Sequence, residues 1–113
     1  MEQNGGVFKV VEQEVDRRIQ EWYGQEKGNV NYFVRKDLER IIEMLREILR
    51  SYGLVEFVKK AWWEFYYARF EKDLRLKAEI QSTCVKLIDI ADEVYSKFRD
   101  RRNLGIGVVE DGV

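Results

Sequence analysis

Apolar residues recur at intervals of three and four positions through most of this chain, which predicts a series of amphipathic helices. The first predicted helix covers residues 7–23 and is followed by Gly24, a candidate left-handed cap. Its apolar face consists of Phe8, Val11, Val15, Ile19 and Trp22. The second predicted helix, residues 31–51, begins at the candidate N-cap Asn31 and is followed by Gly53. Its apolar stripe consists of Val34, Leu38, Ile41, Leu45, Ile48 and Tyr52, widened by Ile42 and Leu49.

The segment 54–102 contains neither glycine nor proline. As a single helix, at 1.5 Å per residue, it would be roughly 70 Å long, which is too long for a compact domain of this size. We therefore predict a turn near Asp73, a candidate N-cap, between a third helix at 54–72 and a fourth at 74–102. One long helix in an extended dimer is the alternative. The core face of the fourth helix consists of Leu76, Ile80, Cys84, Leu87, Ala91, Val94 and Phe98.

These elements predict an all-α fold, a bundle of three or four antiparallel helices in a single domain covering residues 1–103. Residues 104–113 form a C-terminal tail with three glycines around Ile106, Val108 and Val109. We expect this tail to be flexible or loosely packed. A packed extension, or a short strand offered to another molecule, are the other interpretations.

The third helix differs from the others because it is apolar on two sides. One stripe consists of Leu54, Val58, Ala61, Phe65 and Ala68, and is predicted to join the core. A second stripe lies on nearly the opposite side and consists of Trp63, Tyr67, Phe70 and Leu74. A helix of this kind must be covered on both sides, or it exposes an apolar patch.

Three interpretations of the second stripe compete. The helix could be sandwiched inside the monomer. The stripe could instead be a protein–protein surface, most simply of a homodimer or else of a complex with another protein, in which Lys59 and Arg69 form a polar rim. In the third interpretation single-stranded RNA or DNA binds within a larger complex, with bases stacking on Trp63 or Tyr66. The basic residues for that case are Lys60, Arg101 and Arg102, together with the rim.

The charge of the chain argues against the nucleic-acid interpretation. Twenty basic and twenty-one acidic residues leave a net charge of −1, and residues 54–80 contain six basic and five acidic side chains. Such a balance makes a poor electrostatic groove for phosphates. Small all-helical subunits of RNA-guided CRISPR effector complexes are one setting for such an accessory protein, although no motif in this chain identifies one.

Composition excludes several kinds of catalytic site. The chain has no histidine and one cysteine, Cys84, so a histidine-based nucleophile system and a cysteine-rich zinc site are excluded. Cys84 is predicted to be a small core residue. Glycine-rich nucleotide-binding motifs are absent, and no cofactor is indicated. Without a signal peptide or a long apolar run, we expect a cytoplasmic protein with no membrane partner. The highly charged composition would suit a thermophile.

Carboxylates on helices remain as candidate metal ligands. The candidates are Glu39, Glu43 and Glu47 on the second helix and Asp89, Asp92 and Glu93 on the fourth. Both sets point away from the apolar stripes, so we interpret them as solvated faces with surface ion pairs.

The size and helix count resemble those of the MazG-type nucleotide pyrophosphohydrolases, whose metal site needs a Glu-x-x-Glu pair followed by Glu-x-x-Asp. Here only Asp89 and Asp92 give half of such a pattern. A metal-dependent phosphohydrolase using Glu39, Glu43, Asp89 and Asp92 is therefore an alternative. The main hypothesis is a non-catalytic assembly module.

Overall fold

The computed structural model describes the backbone of residues 9–110 and the side chains of residues 9–100. It contains four α-helices: α1 (Val10–Glu26), α2 (Tyr32–Tyr52), α3 (Leu54–Tyr67) and α4 (Leu74–Glu110). Short 3-10 turns, Lys27–Asn29 and Ala68–Phe70, follow α1 and α3. The described residues form no strand. The predicted all-α class and the separation of the third and fourth helices are confirmed.

Contacts between side chains show that α1 and α2 run antiparallel. The Asp16 carboxylate accepts from the Arg46 guanidinium at 2.7 Å. Farther along α1, the Tyr23 hydroxyl donates to the Glu39 carboxylate at 2.9 Å. The first pair joins the middle of α1 to the second half of α2, and the second joins the end of α1 to the first half of α2.

Contacts of α4 with α3 and with α1 fit the same antiparallel arrangement of neighbouring helices. The Gln81 side chain donates to the Phe65 carbonyl at 3.3 Å, which places the start of α4 beside the end of α3. Arg18 of α1 forms an ion pair of 2.7 Å with Glu93 in the second half of α4. The four helices therefore form an antiparallel bundle in chain order, with α4 returning beside α1.

Helix ends follow the local chemistry in most places. The Asn31 side chain accepts from the Phe33 amide at 2.8 Å, and Asp73 accepts from the amides of Arg75 and Leu76 at 3.0 and 3.2 Å. Both predicted N-caps are confirmed. Gly53, with φ of 96°, joins α2 to α3.

The prediction that Gly24 ends the first helix is wrong. α1 continues through Gly24 to Glu26, and among the described residues only Gly53 has a positive φ. The chain leaves α1 through the 3-10 turn, so no left-handed residue is needed there.

α4 continues to Glu110, eight residues past the predicted end at 102 and through part of the predicted tail. Glycine in a helix costs only about 1 kcal/mol relative to alanine, so Gly105 and Gly107 do not forbid this. Residues 111–113 and the tail side chains lie outside the described part, and the loose packing of the tail stays a prediction.

The core lies between all four helices and uses the predicted faces of α1, α2 and α4, with differences in detail. Phe57 is fully buried although the predicted core stripe of the third helix omits it. Tyr52 is 74% exposed although the prediction places it on the apolar stripe of the second helix. Phe8, predicted for the first face, lies outside the described residues. The fully or nearly fully buried side chains include Val15, Ile19, Leu38, Leu45, Leu49, Phe57, Ala61, Cys84, Leu87, Ile90, Ala91 and Val94.

The described helices include none with the length and apolar character needed to cross a membrane.

Candidate interaction surface

Large apolar side chains cover the side of α3 that faces away from the core. Because Phe57, Ala61 and Ala68 are the buried residues of this segment, the opposite side of the helix points outward. We call the set there the outer face of α3. It consists of Val55 (70% exposed), Trp62 (49%), Trp63 (55%), Tyr66 (57%) and Tyr67 (59%), together with Phe70 (64%) of the 3-10 turn that follows α3.

The rings of the outer face contact one another in order along the helix. Trp63 stacks on Tyr67, with centroids 6.0 Å apart and planes at 17°. Tyr67 meets Phe70 edge to face at 5.8 Å. Aromatic pairs in these geometries restrain one another by about 0.5–1.5 kcal/mol. The row Trp63–Tyr67–Phe70 is therefore partly ordered before any partner binds.

Arg69 lies between the Tyr66 ring and the Phe70 ring, and so connects Tyr66 to the row Trp63–Tyr67–Phe70. Its guanidinium carbon lies 4.1 Å from the Tyr66 ring centroid and 4.7 Å from that of Phe70. No ion pair of Arg69 occurs among the described side chains. The Trp62 ring packs edge to face against the ring of the half-buried Phe65, with the two centroids 5.5 Å apart.

Shallow grooves extend the apolar surface on both sides of α3. Toward α2, a groove of about 520 Å³ lies between Tyr52, Ile48 and Trp63. A second of about 500 Å³ lies between Met44, Tyr67 and Phe70.

Toward α4, a third groove of about 370 Å³ is lined by Val55, Val58, Ile88, Ala91 and Tyr95, among others. The five rings of the outer face therefore form a continuous ridge between these grooves, which we call the aromatic ridge.

The outer face is close to electrically neutral. The Lys59 ammonium lies 3.4 Å from the Glu56 carboxylate, and the Lys60 ammonium lies 3.3 Å from that of Glu64. Arg69 is the remaining basic group among the rings. A phosphate backbone would meet little uncompensated positive charge here.

The area of this surface is near the upper end of what a single domain exposes. Aromatic side chains have about 150–250 Å² each, so at these exposures the five rings present roughly 550 Å². The largest apolar patch of a typical monomer is about 300–600 Å² and is often functional. The interpretation that the aromatic stripe is sandwiched inside the monomer is wrong, because Trp63, Tyr67 and Phe70 are 55–64% exposed.

All the residues predicted for a protein interface are exposed at or beside this surface. Trp63, Tyr67 and Phe70 lie on the outer face, Leu74 follows it at the start of α4 and is 74% exposed, and Lys59 and Arg69 are exposed beside the rings. The predicted interface set does not include Val55, Trp62 or Tyr66, which are exposed on the same side of the helix. A predicted core stripe centred on Phe57 and Ala61 would have placed all three residues on the solvent side of the helix.

The residues of the nucleic-acid alternative are not brought together. Lys60 is half-buried and paired with Glu64, whereas Tyr66 is exposed. The Gln81–Phe65 contact fixes the level of Tyr66 on α4. Arg101 and Arg102 follow about 20 residues later in the same helix, roughly 30 Å away at 1.5 Å per residue.

The carboxylates of the metal alternative are exposed and lie on different sides of the bundle. Glu39 accepts from Tyr23 of α1, and Glu43 pairs with Arg46 at 2.9 Å. Asp92, by contrast, lines the groove between α3 and α4, and Asp89 is exposed on α4. In the described part of the chain, no group of three acidic or cysteine side chains could hold a metal ion.

Two buried polar groups belong to the fold rather than to a site. Asp16, which the sequence analysis did not single out, is 8% exposed and is neutralised by Arg46 and bonded to Gln20. Cys84 is fully buried, as predicted, and its burial together with the nearby Glu64 raises the pKa of the thiol to about 12. A thiol of this kind is not a nucleophile at neutral pH.

Comparison of the chain with protein-family models, with curated proteins and with solved structures gives no match.

Proposed function

We propose that this chain is a non-catalytic assembly module that self-associates through the outer face of α3. The observation that carries the proposal is the uncovered aromatic ridge, in which five rings are between 49% and 64% exposed on a helix whose opposite side is buried. The largest apolar patch of a small domain is often a functional surface.

The chemistry of the ridge favours protein over nucleic acid as its partner. Tryptophan, tyrosine and arginine are the residue types enriched at the centres of protein interfaces. The two lysines beside the rings are paired with glutamates, so the counterion release that drives nucleic-acid binding would be small.

The area supports a second copy of the chain as the partner. Standard interfaces bury about 800 Å² per partner. The rings present roughly 550 Å², and Val55 with the groove walls of α2 and α4 would supply the remainder. A net charge of −1 leaves little long-range repulsion between two copies, and symmetric homodimers are the commonest oligomers.

Light scattering after size exclusion tests the proposal directly. We expect a mass of twice the 13.6 kDa chain at micromolar and higher concentrations. Trp63→Glu should return the mass to that of one chain without changing the helical circular dichroism, because Trp63 contributes nothing to the core.

Phe33→Glu is the matched control. Phe33 is also a large aromatic residue, 85% exposed, but it lies at the start of α2 and outside the outer face. Its variant should keep the wild-type mass. A wild-type monomer throughout the concentration range would contradict the proposal. If that monomer showed salt-dependent quenching of its tryptophans by a single strand, the nucleic-acid alternative would replace it.

A further inference from the structure

We infer that one end of the bundle binds single-stranded nucleic acid, at a site separate from the centre of the outer face of α3. This inference goes beyond the proposed function and does not require self-association. The site is the basic end, which we define as two segments of the chain. Residues 27–36 run from the 3-10 turn after α1 into the first turn of α2, and residues 69–77 run from the 3-10 turn after α3 into the first turn of α4.

Contacts between the helices bring these two segments to the same end of the bundle. The Tyr23 hydroxyl, near the end of α1, donates to the Glu39 carboxylate of α2. One cavity is lined by Arg40 of α2, by Phe70 of the turn after α3 and by Ile80 of α4, among others. Both segments lie at or beyond the level of these contacts, so they share one end of the molecule.

The basic end has a strong positive charge within a nearly neutral protein. It contains seven basic and two acidic residues, a net charge of +5, whereas residues 9–100 as a whole contain eighteen of each sign. Including the bordering Glu26 and Glu79 still leaves +3, and Asp37, which also borders it, pairs with Arg40 at 3.4 Å. The seven basic residues are Lys27, Arg35, Lys36, Arg69, Lys72, Arg75 and Lys77.

The fold leaves this positive charge unpaired. Among the side chains of residues 9–100, eight basic groups form ion pairs and ten do not, and all seven of the basic end belong to the ten. The two carboxylates of the basic end bond to backbone amides instead: Glu71 accepts from the Asp73 amide at 3.1 Å, and Asp73 accepts from the Arg75 amide at 3.0 Å. Phosphates bound here would meet cations that no side chain of the described part neutralises.

Exposed aromatic rings lie among these cations. Phe33 is 85% exposed and meets the Tyr32 ring edge to face at 5.7 Å, and Phe70 is 64% exposed. The guanidinium carbon of Arg35 lies 6.0 Å from the Tyr32 ring centroid, and that of Arg69 lies 4.7 Å from the Phe70 ring centroid. A guanidinium over a ring keeps its N–H groups free for a phosphate.

The alternation of rings and cations favours a single strand over other polyanions. Tyr32 and Phe33 directly precede Val34, Arg35 and Lys36, and Arg69 directly precedes Phe70. A single strand offers unpaired bases that stack on exposed rings beside phosphates that meet basic groups. An anionic bilayer instead takes up apolar side chains that are gathered on one face.

Fluorescence anisotropy of a labelled oligouridine tests the inference, with a strand of about 15 nucleotides, within the length that one small domain covers. We expect binding at low salt that weakens steeply as salt is added. For five phosphate contacts the affinity should fall roughly 100-fold between about 50 and 200 mM salt.

Single substitutions locate the site. Lys36 and Lys72 are exposed, so Lys36→Gln and Lys72→Gln should fold normally and each lower the steepness of the salt dependence by about 0.7. Phe33→Ala should weaken binding at least about fivefold, through the loss of one stacked base. Lys97→Gln is the matched control, because Lys97 is also exposed and without an ion pair in the described part but lies toward the other end of the bundle. It should bind the strand as the wild type does.

Three results would overturn the inference. The first is a wild-type chain that does not bind the strand at low salt. The second is an equal loss of affinity in Lys36→Gln and Lys97→Gln, which would mean that the attraction is not localised. The third is binding to phosphatidylserine vesicles without binding to the strand, which would assign the basic end to anionic lipid.

The same assay separates this inference from the proposed function. Trp63→Glu should lose the mass of the dimer but keep most of its affinity for the strand, because Trp63 lies outside the basic end. A monomeric wild-type chain that binds the strand with these variant effects would defeat self-association and support the inference. A dimeric chain that does not bind the strand would do the reverse.

Discussion

Gly53 joins the helix that completes the core to the helix that carries the aromatic ridge, and its replacement by alanine should destabilise the fold. Its φ of 96° and ψ of −178° lie in a region that is open almost only to glycine. Its amide donates to the Leu49 carbonyl at 3.1 Å, and its carbonyl accepts from the Phe57 amide at 3.1 Å. Both hydrogen bonds depend on this backbone conformation.

The size of the effect can be worked out from the surroundings of the added Cβ. The one atom near it would be a carboxylate oxygen of Glu12 at 3.8 Å, which is ordinary van der Waals contact. The cost therefore comes from the backbone, about 1–3 kcal/mol for a residue held in such a region. The lower entropy of unfolded alanine offsets about 0.4–1 kcal/mol, leaving a net loss of about 1–2 kcal/mol.

Thermal and urea unfolding followed by circular dichroism measure this loss. For a domain of this size each kcal/mol shifts the Tm by about 4–8 °C, so Gly53→Ala should melt roughly 5–15 °C lower. Protein concentration must be held fixed, since the proposed dimerisation would add to apparent stability.

Gly24→Ala is the matched control for Gly53→Ala. Gly24 lies inside α1, and no atom lies within 4 Å of its added Cβ. The same chemical change should therefore stabilise the chain here, by about 0.5–1 kcal/mol. Equal stability of Gly53→Ala and wild type, or shifts of the same sign in both variants, would refute the reasoning.

Other side chains give predictions of different kinds. Asp16→Asn should lower the free energy of unfolding in urea by about 2–3 kcal/mol, because the mostly buried Arg46 loses its ion pair with Asp16 at 2.7 Å and keeps only the one with the exposed Glu43. Asp16→Leu with Arg46→Met should recover most of the loss. Cys84, with a thiol pKa near 12, should react with a disulfide reagent slowly in the native chain and rapidly in denaturant. The Arg18 hydrogen bond holds the pKa of Glu93 below its usual 4.5, so this pair stabilises the fold above that value and its contribution is lost as pH falls through the folded-state pKa. Glu93→Gln should flatten the acid side of the stability profile, and an unchanged profile would argue against the pair.

The number of helices and the starts of α2, α3 and α4 could be predicted from local rules, whereas the ends of α1, α3 and α4 could not. The periodic faces of α1, α2 and α4 are long and regular, and the caps Asn31 and Asp73 satisfy amides within their own turn. Such signals depend on neighbours in the chain, so they survive in the folded structure. Gly24 shows the limit of the same rules, because a glycine after an apolar run need not adopt a positive φ.

The orientation of α3 could not be predicted in the same way. Its sequence is apolar on two sides, so periodicity does not say which side enters the core. The choice is made by packing: Phe57 is fully buried, and the small Ala61 and Ala68 lie on the same side, whereas the larger tryptophans and tyrosines remain outside. That arrangement depends on the shape left by the other three helices, which the sequence of α3 alone does not contain.

One side of α3 packs in the core, and the opposite side is exposed to solvent. The fully buried Phe57 and Ala61 tie α3 to the bundle, while Trp63, Tyr67 and Phe70 contact chiefly one another at the surface. Substitutions on the outer side should therefore change the mass of the protein in solution without lowering the stability of the single chain. Phe57→Ala should do the reverse, since truncating a buried phenylalanine costs about 3–5 kcal/mol. Loss of single-chain stability in Trp63→Glu would mean that the ridge belongs to the fold, and the argument for a partner would fail with it.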